Sequence, residues 1–209
     1  MSVLALAASV HAEPNAMPDR GNAARFHSFT AREQDALGAG SMVSRALRFD
    51  AQGGHYVGGV SYQVVDARPE VVLAALSDVS NWPEALPRTK SAELVSSTDG
   101  LSRVELVQGS ALVDARYTVV LERADAETIR FWLDPNFSHD IHDVWGFFRV
   151  KSLPGGRSLI TVGAALDVGD GLTRMLFEDK IAHMLLRAPS QIRKFVEPRA
   201  LALAGALSR

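Results

Sequence analysis

The sequence predicts an α+β fold: a curved antiparallel sheet of about seven strands wrapped around one long C-terminal helix, with two short helices after the first strand. Three observations carry this. An apolar strand ending at Val65 runs into a helix opened by Pro69, and then into a bend at Trp82 held between Pro83 and Pro87. After Pro87 the pattern turns to alternation for roughly eighty residues, read as strands of about six residues each plus turns. The chain then closes on an apolar stripe at helical steps: Phe177, Ile181, Met184, Leu185, Ala188, Ile192 and Phe195.

Taken in order, Met1 to Ala16 is an alanine-rich leader with a short apolar run, Val3 to Val10, and small residues around Ala12. It leaves export to the periplasm or cell envelope and retention in the cytoplasm both open. Glu13 to Gly21 reads as a linker. Thr30-Ala31-Arg32-Glu33 is a capping-box pattern, so a short helix is expected to about Leu37, ended by Gly38 and Gly40. Met42 to Phe49 alternates and adds a strand, which Gln52-Gly53-Gly54 turns into the next, Tyr56 to Val65. Pro69 suits the first helical position because its missing N–H has no intrahelical partner there.

Beyond Pro87, strands are expected over about Ser91–Ser97, Ser102–Gln108, Leu112–Arg123, Thr128–Leu133, Asp143–Ser152 and Ser158–Val168. Short Gly-, Asp- and Pro-containing separators imply antiparallel neighbours. Tyr117, Val119 and Leu121 alternate with Thr118, Val120 and Glu122, so one face is apolar and the other mixed. Asp170-Gly171 should open the last helix, Pro189 kink it and Pro198 stop it near Glu197.

The stretch VDARPEVVLAALSDVSNWPEALPRTKSAEL, behind a strand, resembles the opening of the START-like, or polyketide cyclase/dehydrase and lipid-transport, superfamily. It is most similar to the coenzyme-Q-binding-protein-like branch, where an aromatic–Pro–x–x–x–Pro segment follows the first helix. The likeness spans about Gly58 to Pro198. It implies a helix-grip fold with an internal cavity for an apolar molecule, and it implies that Trp82 lies near that cavity. The expected organisation is a leader or signal remnant with linker over 1–28, a helix and extra strand over 29–56, the helix-grip domain over 57–199 and a tail over 200–209.

At 209 residues, 47% hydrophobic and 22% charged, the chain buries a full core. A net charge of −2 with no basic patch gives nothing for nucleic acid to bind. The absence of cysteine excludes a disulfide framework, a thiol nucleophile and a zinc–thiolate site. No stretch reaches the roughly twenty apolar residues that span a bilayer, so a soluble protein making at most transient membrane contact is expected.

His139-Asp140-Ile141-His142-Asp143 is the one cluster with chemical character, and His183 the only candidate third metal ligand. In an extended chain residues three apart point to opposite faces, which favours a polar loop over an ion site. No G-x-S-x-G elbow occurs, and Gly169-Asp170-Gly171 lacks the lysine of a phosphate loop. Glu105, Arg116 and Tyr117 are candidate polar cavity groups. No catalytic residue, metal or cofactor is assigned.

The function expected is binding, with transport, of a lipid, quinone or sterol-like molecule; the alternative is a cyclase, aromatase or hydrolase on the same fold. The candidate cavity wall is Trp82, Leu86, Tyr117, Val119, Phe131, Leu133, Phe148, Ile160, Val162, Met184, Leu185 and Ile192. Counting strands places the turns near Gly109, Pro135–Ile141 and Gly169 at one end of the sheet. A gate is expected there from Gly109, Phe137, His139, Asp140 and Gly169.

Overall fold

The computed structural model describes residues 29–51, 53–109, 114–169 and 172–207. The expected leader, the turn residues beyond Gly109, the helix opening at Asp170-Gly171 and the Phe177 side chain lie outside the described residues. Eight strands form one antiparallel sheet: β1 (Val43–Ala51), β2 (Gly54–Val65), β3 (Thr89–Thr98), β4 (Leu101–Gly109), β5 (Asp114–Arg123), β6 (Thr128–Leu133), β7 (Asp143–Leu153) and β8 (Arg157–Asp167). Their spatial order is β1-β2-β8-β7-β6-β5-β4-β3. The helices are α1 (Ala31–Gly38), α2 (Pro69–Ser77), α3 (Trp82–Ala85), α4 (Leu172–Leu186) and α5 (Ala188–Leu207). A 3₁₀ turn over Val79–Asn81 joins α2 to α3. This is the helix-grip layout.

β3 to β8 form a meander, and β8 then pairs with β2, so the chain's first long strand joins the sheet beside its last. The two arms of the sheet are bridged by α2 and α3, which carry the chain from β2 across to edge strand β3. Gly58 and Gly59 have φ of 153° and 142°, and a Cβ there would lie within 2.1 Å of the Ala164 or Arg45 carbonyl oxygen. Only glycine lets β2 pass this close to both neighbours.

Side-chain alternation sorts the sheet into two faces. The inner face presents Val104, Leu106, Tyr117, Val119, Leu121, Ile129, Phe148, Val150, Ile160 and Val162, all within one core shared with α2, α3 and α5. On the outer face α1 covers a smaller core of Leu37, Val43, Val60 and Tyr62. The capping box closes as expected: Glu33 N–H donates to Thr30 Oγ1 at 3.3 Å, and Thr30 N–H to Glu33 Oε2 at 2.8 Å. Arg45 then grips the same carboxylate at 3.0 Å and fastens α1 to β1.

The last helix departs from expectation at both prolines. It breaks into two at Arg187, just before Pro189. The ring of a proline collides with the carbonyl four residues earlier, here Leu185, so α4 ends and α5 restarts with Pro189 in its first turn, where no N–H is needed. Pro198 does not stop the helix; it lies inside α5, which runs on to Leu207 through the expected tail. Arg199 Nη1 donates to the Phe195 carbonyl at 2.9 Å and its guanidinium stacks on the Phe195 ring. The following Ala- and Leu-rich run has high helix propensity, which offsets the lost backbone bond.

Candidate functional site

A cavity of about 60 Å³ lies on the inner face, between the sheet, α3 and the α4–α5 junction. Trp82, Leu86 and Pro87, from α3 and the turn after it, and Met184, Leu185 and Ala188, from the α4–α5 junction, supply its helical wall. The sheet supplies Leu106, Gln108, Tyr117, Val119, Phe131, Val144, Phe148, Val162 and Ala164. Pro87, Gln108, Met184 and Leu185 remain partly exposed, so the cavity meets solvent between the end of β4 and α4.

The wall follows from local sequence. Trp82 is 2% exposed, and its indole N–H donates to the Leu76 carbonyl at 2.9 Å. Its one polar atom is consumed by the end of α2, and an apolar ring faces Phe148 at 6.1 Å between centroids. Phe131 lies over Gly146, where a Cβ would come within 2.4 Å of its ring, and packs against Phe148 at 5.3 Å. Glycine at 146 therefore makes the room that Phe131 uses.

Two side chains on this wall are polar. Tyr117 O–H donates to Gln108 Oε1 at 2.5 Å, and Gln108 Nε2 donates to Thr89 Oγ1 at 2.8 Å. Burial pushes the Tyr117 phenol well above its usual range, so it stays a neutral hydroxyl. No charged side chain lines the cavity among the described residues.

Nine of the twelve expected wall residues border the cavity: Trp82, Leu86, Tyr117, Val119, Phe131, Phe148, Val162, Met184 and Leu185. Leu133, Ile160 and Ile192 do not; they are 6%, 0% and 0% exposed within the packed core. α2 and α5 press on β7 and β8 and fill the part of the inner face where Ile160 and Ile192 sit. Alternation reports which face a residue is on and not how far along the strand the filling reaches. Gln108 was missed because it is a lone polar residue at the end of an expected strand, although its phase with Val104 and Leu106 places it on the inner face.

Glu105 and Arg116 leave the cavity reading altogether. They lie on the outer face, opposite in phase to Leu106 and Tyr117, and pair with each other at 2.6 Å.

The five expected gate residues gather at the end foreseen, yet none borders the cavity. Their loop is bonded down: Asp140 N–H donates to the Arg116 carbonyl at 2.9 Å, Arg116 N–H to Asp140 Oδ2 at 2.8 Å, and His142 N–H to the Asp167 carbonyl at 2.9 Å. Phe137 is 36% exposed at the tip, and His139 Nδ1 lies 2.6 Å from the Ile141 carbonyl. Gly109 donates its N–H to the Arg88 carbonyl, and Gly169 donates its own to Asp167 Oδ1 beneath the His142 ring. Loop length suggests a lid only when the backbone bonds are left out. His139 and His142 serve separate partners, and among the described residues no three His, Asp or Glu side chains converge on a metal position.

The sequence profile of the polyketide cyclase/dehydrase and lipid transport family matches residues 59–195, more than half of the chain. The chain belongs to this family. Among solved structures, the STAR-related lipid transfer protein of Xanthomonas axonopodis superposes with a TM-score of 0.58 at 12% identity, covering 73% of this chain and 98% of its own. A protein of Thermus thermophilus gives 0.58 at 18% identity, with 69% and 97% covered. The Zhui aromatase/cyclase of a Streptomyces species gives 0.57 at 16% identity, with 76% and 94% covered. At these identities the likeness shows the START-like fold and nothing finer. No curated protein sequence matches the chain. Among the described residues no helix is long and apolar enough to cross a membrane.

Proposed function

We propose that the protein binds an apolar small molecule in the cavity beside Trp82 and carries it in solution. The observation that supports this is the wall itself: apolar side chains from the sheet, α3 and both halves of the last helix, without a charge among the described residues. Small-molecule sites are typically mostly apolar with a few placed polar groups, and span about 300–1,000 Å³. The cavity here is smaller, so a lipid-sized guest requires it to widen. The break at Arg187 gives α4 a place to pivot, and Met184, flexible at three torsions, gives way without leaving the wall.

A cyclase or aromatase reading asks the wall for a general acid or base. Its polar side chains are a carboxamide and a phenol held neutral by burial, which favours binding over proton transfer. The test is native mass spectrometry of protein purified from its own cell, followed by organic extraction. A co-purifying apolar molecule, displaced when Leu185→Trp fills the cavity, is the expected result. An empty wild-type protein that also takes up no neutral apolar fluorophore would remove the reading.

A further inference from the structure

Three polar side chains stand together at the mouth of the cavity. Gln108 is half-exposed at the end of β4, Tyr117 is 5% exposed beside it, and Thr89, 7% exposed, anchors the Gln108 amide from the neighbouring edge strand. We propose that Gln108 and Tyr117 form a docking point for one uncharged hydrogen-bonding group, a carbonyl or hydroxyl at the end of an otherwise apolar ligand. This rests on the binding function proposed above and names the chemical class of its ligand.

The hydrogen-bond inventory gives both halves of the recognition. A carboxamide has two N–H donors, and Gln108 uses one on Thr89; among the described residues the second is not engaged. On a partly exposed side chain that lines the cavity, it is available to donate to a ligand carbonyl. Tyr117 spends its proton on Gln108 Oε1, which leaves the phenol oxygen as an acceptor for a ligand hydroxyl. Thr89 matters because it fixes which end of the amide points where.

Charge complementarity excludes the common alternative. Among the described residues that line this wall a carboxylate meets no cation: Arg116 and Arg103 are on the outer face, paired with Glu105 and Asp134. Burying an ion without a partner costs more than its alkyl chain recovers. A hydrocarbon with no polar end does better than the ion, yet it covers the Gln108 N–H and leaves it without water or partner.

The experiment is displacement of N-phenyl-1-naphthylamine, a neutral apolar fluorophore, by octane, 1-octanol, 2-octanone and octanoate at pH 8. The ketone and the alcohol should bind about tenfold tighter than octane or octanoate, one net hydrogen bond's worth of preference. In Gln108→Leu the preference should fall below about threefold for both; in Tyr117→Phe, which keeps the ring and serves if Gln108→Leu fails to fold, it should fall below about threefold for the alcohol. Binding of all four without preference, octanoate binding best, or both variants keeping the wild-type ranking would overturn the inference while leaving the apolar cavity intact. No binding of fluorophore or ligands would overturn the cavity function itself, and this inference with it.

Discussion

Trp82 Nε1 donates to the carbonyl oxygen of Leu76 at 2.9 Å, with both residues at 2% exposure or less. This single bond ends α2, seats α3 and turns an apolar ring toward the cavity. Trp82→Phe keeps the ring face and strands the Leu76 carbonyl, so a loss of about 1–3 kcal/mol is expected. Trp82→Ala also opens a void and should cost about 3–5 kcal/mol. Urea denaturation measures both. Trp132 and Trp145 face outward, so ligand-induced changes in tryptophan emission should vanish in Trp82→Phe.

Asp134 is 2% exposed and holds Arg103 Nε at 2.8 Å. Burial alone would raise its carboxyl, but the Asn136 backbone N–H, the Arg103 guanidinium and the Asn136 side chain together hold it below the usual carboxylate range. The folded state therefore binds this proton less readily than the unfolded chain, whose Asp titrates near about 3.9. The resulting stability is complete above that pH and is lost as pH falls through the folded value. Wild-type urea midpoints should drop as pH falls below about 4. Asp134→Asn should lose about 2–3 kcal/mol at pH 7 and show a shallower acid slope. An unchanged slope would mean that other carboxylates govern acid unfolding.

Ser61 and Ser158 are 1% and 0% exposed on neighbouring strands, yet differ in one respect. Ser158 Oγ donates to the Ala67 carbonyl at 2.6 Å, whereas Ser61 Oγ has no partner among the described residues. Ser158→Ala should cost about 1–2 kcal/mol; Ser61→Ala should be neutral or stabilising by up to about 1 kcal/mol. Thermal melts of the two single variants decide it. Equal losses would show that Ser61 is satisfied in solution.

The loop between β6 and β7 provides a paired test of whether it behaves as a fixed rim. Asp140→Ala removes the side-chain half of the Arg116 clasp and should cost about 1 kcal/mol, with faster amide exchange over 136–142. Phe137→Ala, at an exposed tip off the cavity wall, should change stability by less than about 1 kcal/mol. Its ligand exchange rate should stay within about twofold. Faster ligand release in Phe137→Ala would restore a gate at this loop.

What the chain determined by itself is everything periodic or local. Alternation from Ser91 to Val168 implied the meander and sorted Tyr117, Val119, Phe148 and Val162 onto one face, because a strand's side chains must point alternately. Pro69, the Trp82–Pro87 bend and the Thr30 capping box announced their elements through steric and hydrogen-bond rules within a few residues. Only the tertiary structure decided matters of depth and partner. Ile160 and Ile192 share the periodicity of the wall, but neighbouring helices fill the space in front of them. Pro198 lies inside a continuing helix, where the guanidinium of the next residue stacks on Phe195 and bonds its carbonyl, contacts that no local rule announces. Asp140 and Phe137 looked like a lid until bonds from Arg116, on a strand more than twenty residues earlier, were seen to pin the loop. Gln108 acquires meaning only when strand pairing carries Tyr117 to its amide and the edge strand brings Thr89, since a polar side chain's role depends on which long-range partners consume its donors and acceptors.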